Sequence, residues 1–342
     1  MSAGSYPALL RRVLGGGHLD ADESAALVGA IMDETLSHVQ AAALLAALAA
    51  KGETVDEVVG AARAMRERSV RVEHGLPLVL DIVGTGGDAH RTINISTAAA
   101  FIVAGCGVAV AKHGNRAASS ACGSADVLEA LGVPIDRAPE QSARALREHG
   151  MAFLFAQRHH PAMRAVAPIR RELGVRTIFN VLGPLTNPAG AQRQVVGVAR
   201  PEHVDLVAEA LVRLGGEAGA VIHGDDGLDE ISGFAPTRIA QFDRAGVRRW
   251  TLDPARHGVR ASLDEIRGGD ALENAQALLA ILEGERSPRA DLVALNAALA
   301  LVIAGDAVDL DDGMVRARTA VETGRARRAL QALRGDREAR PV

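Results

Sequence analysis

A chain of 342 residues with 48% hydrophobic content can bury a large core, as one big domain or two modest ones. Its formal charge of −4 argues against the broad basic surface that nucleic-acid binding needs and favours a small-molecule ligand. Two cysteines, Cys106 and Cys122, make neither a disulfide framework nor a metal-ligand repeat, and suit a reducing compartment as small packed residues. No apolar stretch reaches the ~18–20 residues of a spanning helix, and no charged-then-apolar leader opens the chain, so the expectation is a soluble, cytoplasmic protein.

The first seventy residues or so read as helices. Ser37 and Gln40 form a capping-box pair, Gly52 ends that helix, and Thr54 with Glu57 opens the next. The alanine-rich face from Ala41 to Ala50 permits close helix approach, either within the chain or between subunits. After Pro77 the pattern changes to a mostly apolar run, Leu78 to Val83, then glycines, then an apolar helix from about Thr97 to Gly105. Val108 to Ala111 is a second strand candidate, and short apolar runs alternating with helices predict parallel strands covered on both faces. Later strands are expected at Gln194 to Val198 and Ala218 to Ile222, with helices at about Pro201 to Leu214 and Asn274 to Leu282. The bulk is therefore α/β with a mainly parallel sheet.

That rhythm breaks between His159 and Pro188, where a helix-like stretch closes in Gly183-Pro184-Leu185-Thr186-Asn187-Pro188, whose prolines fix a turn. Packed beside the N-terminal helices, this insertion would make a small helical domain of residues 1–72 joined by about 161–190. Residues 73–160 and 191–342 would form the α/β domain.

Two runs carry most of the chemistry. Gly84-Thr85-Gly86-Gly87-Asp88 follows a predicted strand and precedes a helix expected to cap at Ser96 or Thr97, so phosphate oxygens would meet bare backbone amides and a helix N-terminus. A tight strand-to-helix turn is the plainer account. The spacing also fits a loose dinucleotide pattern, but no acid lies between Asp88 and Asp126 to hold a ribose. In the second run, Lys112-His113-Gly114-Asn115-Arg116, Lys112 falls where the second strand should end, with His113 and Asn115 in the loop and Ser119, Ser120 and Ser124 close behind. Lys112 and Lys51 are the only lysines among 38 basic residues, and a compact ammonium differs from a planar fork when a polyphosphate is gripped at one point. For Ser124 or Asp126 alone, ordinary helix capping suffices.

Asp229 and Glu230 close an acidic loop after a predicted strand. Beside a diphosphate, with Ser96, they suit Mg²⁺, while a solvated acidic turn explains them equally well. Arg170 and Arg171 point about 100° apart on a helix, so one at most faces a ligand. His160 alone reads as a structural histidine.

Taken in order, Gly84 to Asp88, Asn94-Ile95-Ser96-Thr97, Lys112 to Arg116, Gly123-Ser124-Ala125-Asp126, Thr177-Ile178-Phe179-Asn180 and Gly183 to Pro188 resemble the anthranilate phosphoribosyltransferase family over nearly the full length. The resemblance implies a helical domain on a larger α/β domain, a homodimer through the helices, and Mg²⁺-dependent use of 5-phosphoribosyl 1-pyrophosphate with two ions per subunit. It places Gly84, Gly87, Asp88, Thr92, Asn94, Ile95, Ser96, Thr97, Lys112, His113, Gly114, Asn115, Arg116, Ala117, Ala118, Ser119, Ser120 and Ser124 around that donor. It gives Ser96, Asp229 and Glu230 to the metal, and Gly84, Asn115, His160, Arg170, Gly183 and Pro184 to anthranilate. Lys112 would stabilise transition-state charge, and no dedicated strong base is expected. Ala89 and Ile93 depart from the family's usual glycine and frequent phenylalanine without removing a ligand. A pyrimidine-nucleoside phosphorylase shares the architecture, but its signature is not found; a nucleic-acid-binding relative would show a basic groove and lose the anthranilate residues.

Overall fold

The computed structural model describes residues 5–88, 90–117 and 121–335. It opens with four helices, α1 (Tyr6–Leu14), α2 (Ala21–Met32), α3 (His38–Lys51) and α4 (Val55–Glu67). Capping boxes start three of them: the Asp20, Ser37 and Thr54 side chains accept from the third helical amide, and Glu23, Gln40 and Glu57 reach back. Glu57 is fully buried and also accepts from the Leu19 amide at 3.0 Å, while Lys51 Nζ pairs with it at 2.9 Å. Lys51 is thus a staple between α3 and α4, which leaves Lys112 as the lysine available to a site.

Seven strands follow: β1 (Leu80–Gly84), β2 (Val110–Gly114), β3 (Met151–Phe155), β4 (Arg193–Gly197), β5 (Ala218–Gly224), β6 (Thr237–Asp243) and β7 (Gly246–Leu252). Their order is β3-β2-β1-β4-β5-β6-β7. The first five pair in parallel, and β6 and β7 add an antiparallel hairpin. Helix α5 (Ile95–Gly105) follows β1; α6 (Ser124–Ala130) and α7 (Pro139–His149) join β2 to β3. The short α8 (Ala156–His159), then α9 (Met163–Leu173) and α10 (Phe179–Leu182), lie between β3 and β4; α11 (His203–Arg213) joins β4 to β5. The chain closes with α12 (Ala271–Leu282), α13 (Pro288–Ala304), α14 (Leu310–Glu322) and α15 (Arg325–Arg334). Among the described residues no helix is long and apolar enough to cross a membrane.

The period of two along the strands divides the core. Val195, Ala220, Ile222 and Ile239 face the cluster built with α5 and α12–α15, whereas Val196, Val221 and Ala240 face the cluster of α2–α4, α9, α10 and α11. The segment between β3 and β4 therefore shares its core with the N-terminal helices. Three passages of chain run together at this junction: Val70 N donates to His159 O at 2.8 Å, Val72 N to Pro188 O at 3.0 Å, and His74 Nε2 to Ala189 O at 3.0 Å.

Several boundaries differ from expectation. Strand β1 starts two residues later than the apolar run because Val79 N is taken by Gln192 Oε1, outside the ladder. Strand β2 also starts two residues later and runs to Gly114, so Lys112 and His113 are strand residues, buried, rather than strand end and loop. Helix α5 starts at Ile95 with Asn94 at its N-cap, which places Ser96 and Thr97 in the first turn, where their amides donate to Glu230 Oε1 and Asn94 O. Strand β3 and the β6–β7 hairpin were not expected.

Candidate active site

The strand order reverses between β1 and β4, and in open α/β sheets the crevice outside the strands' carboxyl ends at such a point is the ligand seat. Gly84 and Gly197 are registered opposite one another at those ends. A third segment drops onto them: a Cβ on Gly197 would stand 2.5 Å from the Asp229 carbonyl carbon, and one on Gly84 3.0 Å from Asp229 Cγ. Bare backbone at both positions is what lets the β5–β6 loop reach the site.

That loop sorts its four acids. Asp225 pairs with Arg238 at 2.6 Å on the surface, and Asp226 accepts from Ser232 Oγ at 2.6 Å. Asp229 turns inward and accepts from Gly86 N at 2.7 Å; Glu230 accepts from Ser96 N at 3.1 Å. Burial, then the neighbouring Asp88, pushes the Asp229 carboxyl up to about 6. Burial, then Asp229, pushes Glu230 up to about 8, against the opposing pull of Lys112. Crowded carboxylates with Ser96 Oγ alongside are a hard-oxygen donor set that a divalent cation would relieve, so the residues fit Mg²⁺. Among the described residues no group of three or more His, Cys, Asp or Glu forms a complete metal cage. Two carboxylates and one hydroxyl, Asp229, Glu230 and Ser96, offer partial coordination, the pattern of an ion shared with substrate phosphates.

Lys112 is 2% exposed and lies beneath this loop, its Nζ donating to Ile82 O at 2.6 Å and Ser96 Oγ at 3.2 Å. Burial lowers its pKa, while Asp81, Glu230 and Asp229 oppose that. Next to it, Asp81 is fully buried, pushed up to about 6 by burial, and accepts from Asn187 Nδ2 at 2.8 Å and His113 N at 3.1 Å. Asn187 Nδ2 also donates to Ala111 O at 2.7 Å. This ties the turn after α10 to β1 and β2.

The second run forms the opposite wall. Ser124 Oγ donates to Asn115 O at 3.3 Å, and Asp126 accepts from Ala117 N and Gly123 N, each at 2.9 Å, closing the loop into α6. Arg116 is held by Asp126 at 3.0 Å and Glu129 at 2.8 Å. Ala89, Ala118, Ser119 and Ser120 lie outside the described residues.

On the helical side, His113 and His160 face each other at 5.1 Å between ring centroids, and His113 Nδ1 donates to Gly183 O at 3.1 Å. His113 Nε2 and both His160 nitrogens have no partner among the described residues. Burial first, then the neighbouring imidazole, holds His113 well below its usual pKa; burial, then His159, lowers His160 to about 4. Both rings are therefore neutral. Arg170 stacks over Phe179 at 5.9 Å, and its pKa is lowered by burial and by a second cation, Arg176. Arg171 is exposed.

All these walls enclose one cleft of about 690 Å³. Gly84, Gly87, Asp88, Thr92, Asn94, Ile95, Ser96, Thr97, Lys112, His113, Gly114, Asn115, Arg116, Ala117, Ser124, His160, Arg170, Gly183, Pro184, Asp229 and Glu230 all line it. So do Arg91, Gln157, Arg164, Phe179, Asn180 and Arg176, which sequence reasoning had not selected. The Thr177 to Asn180 motif pointed to this region, but nothing marked Arg176 beside it.

Residues 7–69 match the model of the glycosyl transferase family's helical bundle domain, and residues 76–327 match that of its a/b domain. The architecture and the site are thus those of a glycosyl transferase. The chain is 52% identical over 331 residues to the anthranilate phosphoribosyltransferase of Thermomicrobium roseum, covering 95% of each chain. A solved anthranilate phosphoribosyltransferase from Thermus thermophilus superposes with a TM-score of 0.90 at 45% identity, covering 98% of each chain. The Saccharomyces cerevisiae enzyme in complex with PRPP and Mg gives a TM-score of 0.88 at 27% identity, covering 97% of each chain. The chain belongs to the anthranilate phosphoribosyltransferase family.

Proposed function

We propose the following division of labour for the reaction this chain carries out. It transfers the phosphoribosyl group of 5-phosphoribosyl 1-pyrophosphate to the amine of anthranilate, releasing pyrophosphate, as a step of tryptophan biosynthesis. The observation that carries the assignment of roles is the polarity of the cleft. Carboxylates and bare amides meet at the strand ends on one side, and Arg170, half-buried on the Phe179 ring, stands on the other.

Gly84 to Asp88, Thr92, the first turn of α5 and the second run surround the donor, with the glycine run and the N-terminal end of α5 toward its phosphates. Ser96, Asp229 and Glu230 hold Mg²⁺, two ions per subunit. When bound, the metal neutralises charge on the diphosphate. Breaking the ribose C1–oxygen bond puts positive charge on the sugar and negative charge on the leaving group, and the buried Lys112 ammonium counters the latter through Ser96. The acceptor amine is neutral at pH 7 and attacks without prior deprotonation; its own ortho carboxylate receives the proton. Arg170 grips that carboxylate, and Asn115, His160, Gly183 and Pro184 complete the acceptor wall.

The helical domain comprises residues 1–72 and about 161–190, and the protein works as a cytoplasmic homodimer through it. Leu14 and Val39, 68% and 79% exposed on α1 and α3, support an interface there. Following the loss of anthranilate fluorescence with donor and Mg²⁺ tests the reading. Arg170→Ala should raise the KM for anthranilate about 10- to 100-fold, the worth of a charge-assisted pair, and that for the donor far less. An unchanged anthranilate KM sinks the assignment.

A further inference from the structure

Arg176 lines the same cleft and has no task in the scheme above. It stands between α9 and α10, on the helical side, and crosses to the first glycine run, where Nη1 donates to Gly86 O at 3.3 Å. The guanidinium lies flush on Gly87, whose φ is +84°: a Cβ there would collide with Nη1 and stand 3.4 Å from Cζ. Its Nε and Nη2 are buried and have no partner among the described residues. A buried donor without an acceptor is costly, and two adjacent donors on a rigid fork match a pair of phosphate or carboxylate oxygens.

Position decides between those anions. Arg170, on α9, faces the acceptor wall beside Phe179. Arg176 instead covers the glycine loop of Gly86 and Gly87, next to Asp229, which takes the Gly86 amide and belongs to the proposed metal seat. The anion that belongs at this loop is the diphosphate.

We propose that Arg176 is a pyrophosphate-binding residue whose Nε and Nη2 edge takes an oxygen pair of the leaving diphosphate. This rests on the phosphoribosyl-transfer reading and adds to it a cation supplied from the helical side. The loop belongs to the sheet and Arg176 to the helices, so the contact forms only when the two halves are docked as here. Leaving-group stabilisation is thereby tied to the half of the protein that holds the acceptor.

Calorimetric titration of pyrophosphate, with Mg²⁺ present, into wild type, Arg176→Gln and Arg176→Lys tests it. The Kd for pyrophosphate should rise about 10- to 100-fold in Arg176→Gln, and several-fold in Arg176→Lys, which keeps the charge and loses the fork. The anthranilate KM should stay within about threefold. A pyrophosphate Kd within threefold of wild type in a glutamine variant that melts normally overturns the proposal, as does a rise confined to the anthranilate KM. If the glutamine variant unfolds, an unchanged Kd in Arg176→Lys overturns it instead. Wild-type protein that fails to consume anthranilate would refute the functional reading, whatever the variants bind.

Discussion

Gly197→Ala isolates the link between the strand ends and the carboxylate loop. A methyl group there would stand 2.5 Å from the Asp229 carbonyl carbon and closer still to its oxygen, against ordinary contacts of 3.4–4 Å. The obstacle is backbone, so relief requires the Asp229-Glu230 segment to retreat by about 1 Å or more, at about 1–3 kcal/mol of overpacking. A displacement of that size at a reacting centre costs about 100-fold in rate, and disturbed ligand support costs about 10- to 100-fold in metal affinity. Initial rates of anthranilate consumption across a Mg²⁺ titration, with a thermal melt of the same preparation, read both effects. The variant should melt cooperatively, need at least tenfold more Mg²⁺ for half-maximal rate, and lose about two orders of magnitude in kcat/KM. Activity within threefold of wild type at an unchanged Mg²⁺ midpoint would refute the argument that bare backbone at Gly197 seats the metal carboxylates.

Asn187→Ala removes the donor to the buried Asp81 carboxylate and to Ala111 O, and should lower unfolding free energy in urea by about 2–3 kcal/mol; a loss under 0.5 kcal/mol would contradict it. Lys112→Arg should not restore the roughly 100-fold loss expected of Lys112→Met, because the seat between Ile82 O and Ser96 Oγ holds a point charge rather than a planar fork; near-wild-type rates in the arginine variant would count against it. His160, lowered to about 4 in the folded protein, binds its proton more readily when unfolded. Its contribution is therefore complete above an ordinary histidine pKa of about 6.5 and declines as pH falls toward 4, by about 2 kcal/mol at pH 5. Denaturant midpoints from pH 7.5 to 5 should fall more steeply in wild type than in His160→Asn; parallel profiles would exclude His160 as the source.

Helix boundaries at Ser37 and Thr54 were legible because a capping box is a local event, settled within four residues. The glycine runs were legible for a similar reason: strand, bare backbone and helix start are contiguous in the chain. Strand limits were less so. Leu78 and Val79 are as apolar as Leu80, and what stops the ladder is a hydrogen bond from Val79 to Gln192, 113 residues away. Strand β3, Met-Ala-Phe-Leu-Phe, is buried at every position, so it lacks the alternation that marks a half-buried strand.

The acidic loop shows where local reading ends. Asp225, Asp226, Asp229 and Glu230 are alike in sequence, and only their distant partners separate them. Arg238 and Ser232 occupy the first two, and Gly86 and Ser96 receive the others. What makes the second outcome possible is the absence of side chains at Gly84 and Gly197, on strands that precede the loop by 145 and 32 residues. Arg176 was illegible on the same ground: one arginine among many, defined by the glycines it lies on, 90 residues earlier. In this chain a glycine's meaning is set as much by what lands on it as by the turn it permits. Asp229 lands on Gly84 with its carboxylate and on Gly197 with its backbone, and Arg176 lands on Gly87 with its guanidinium; the proposed handling of the diphosphate depends on all three.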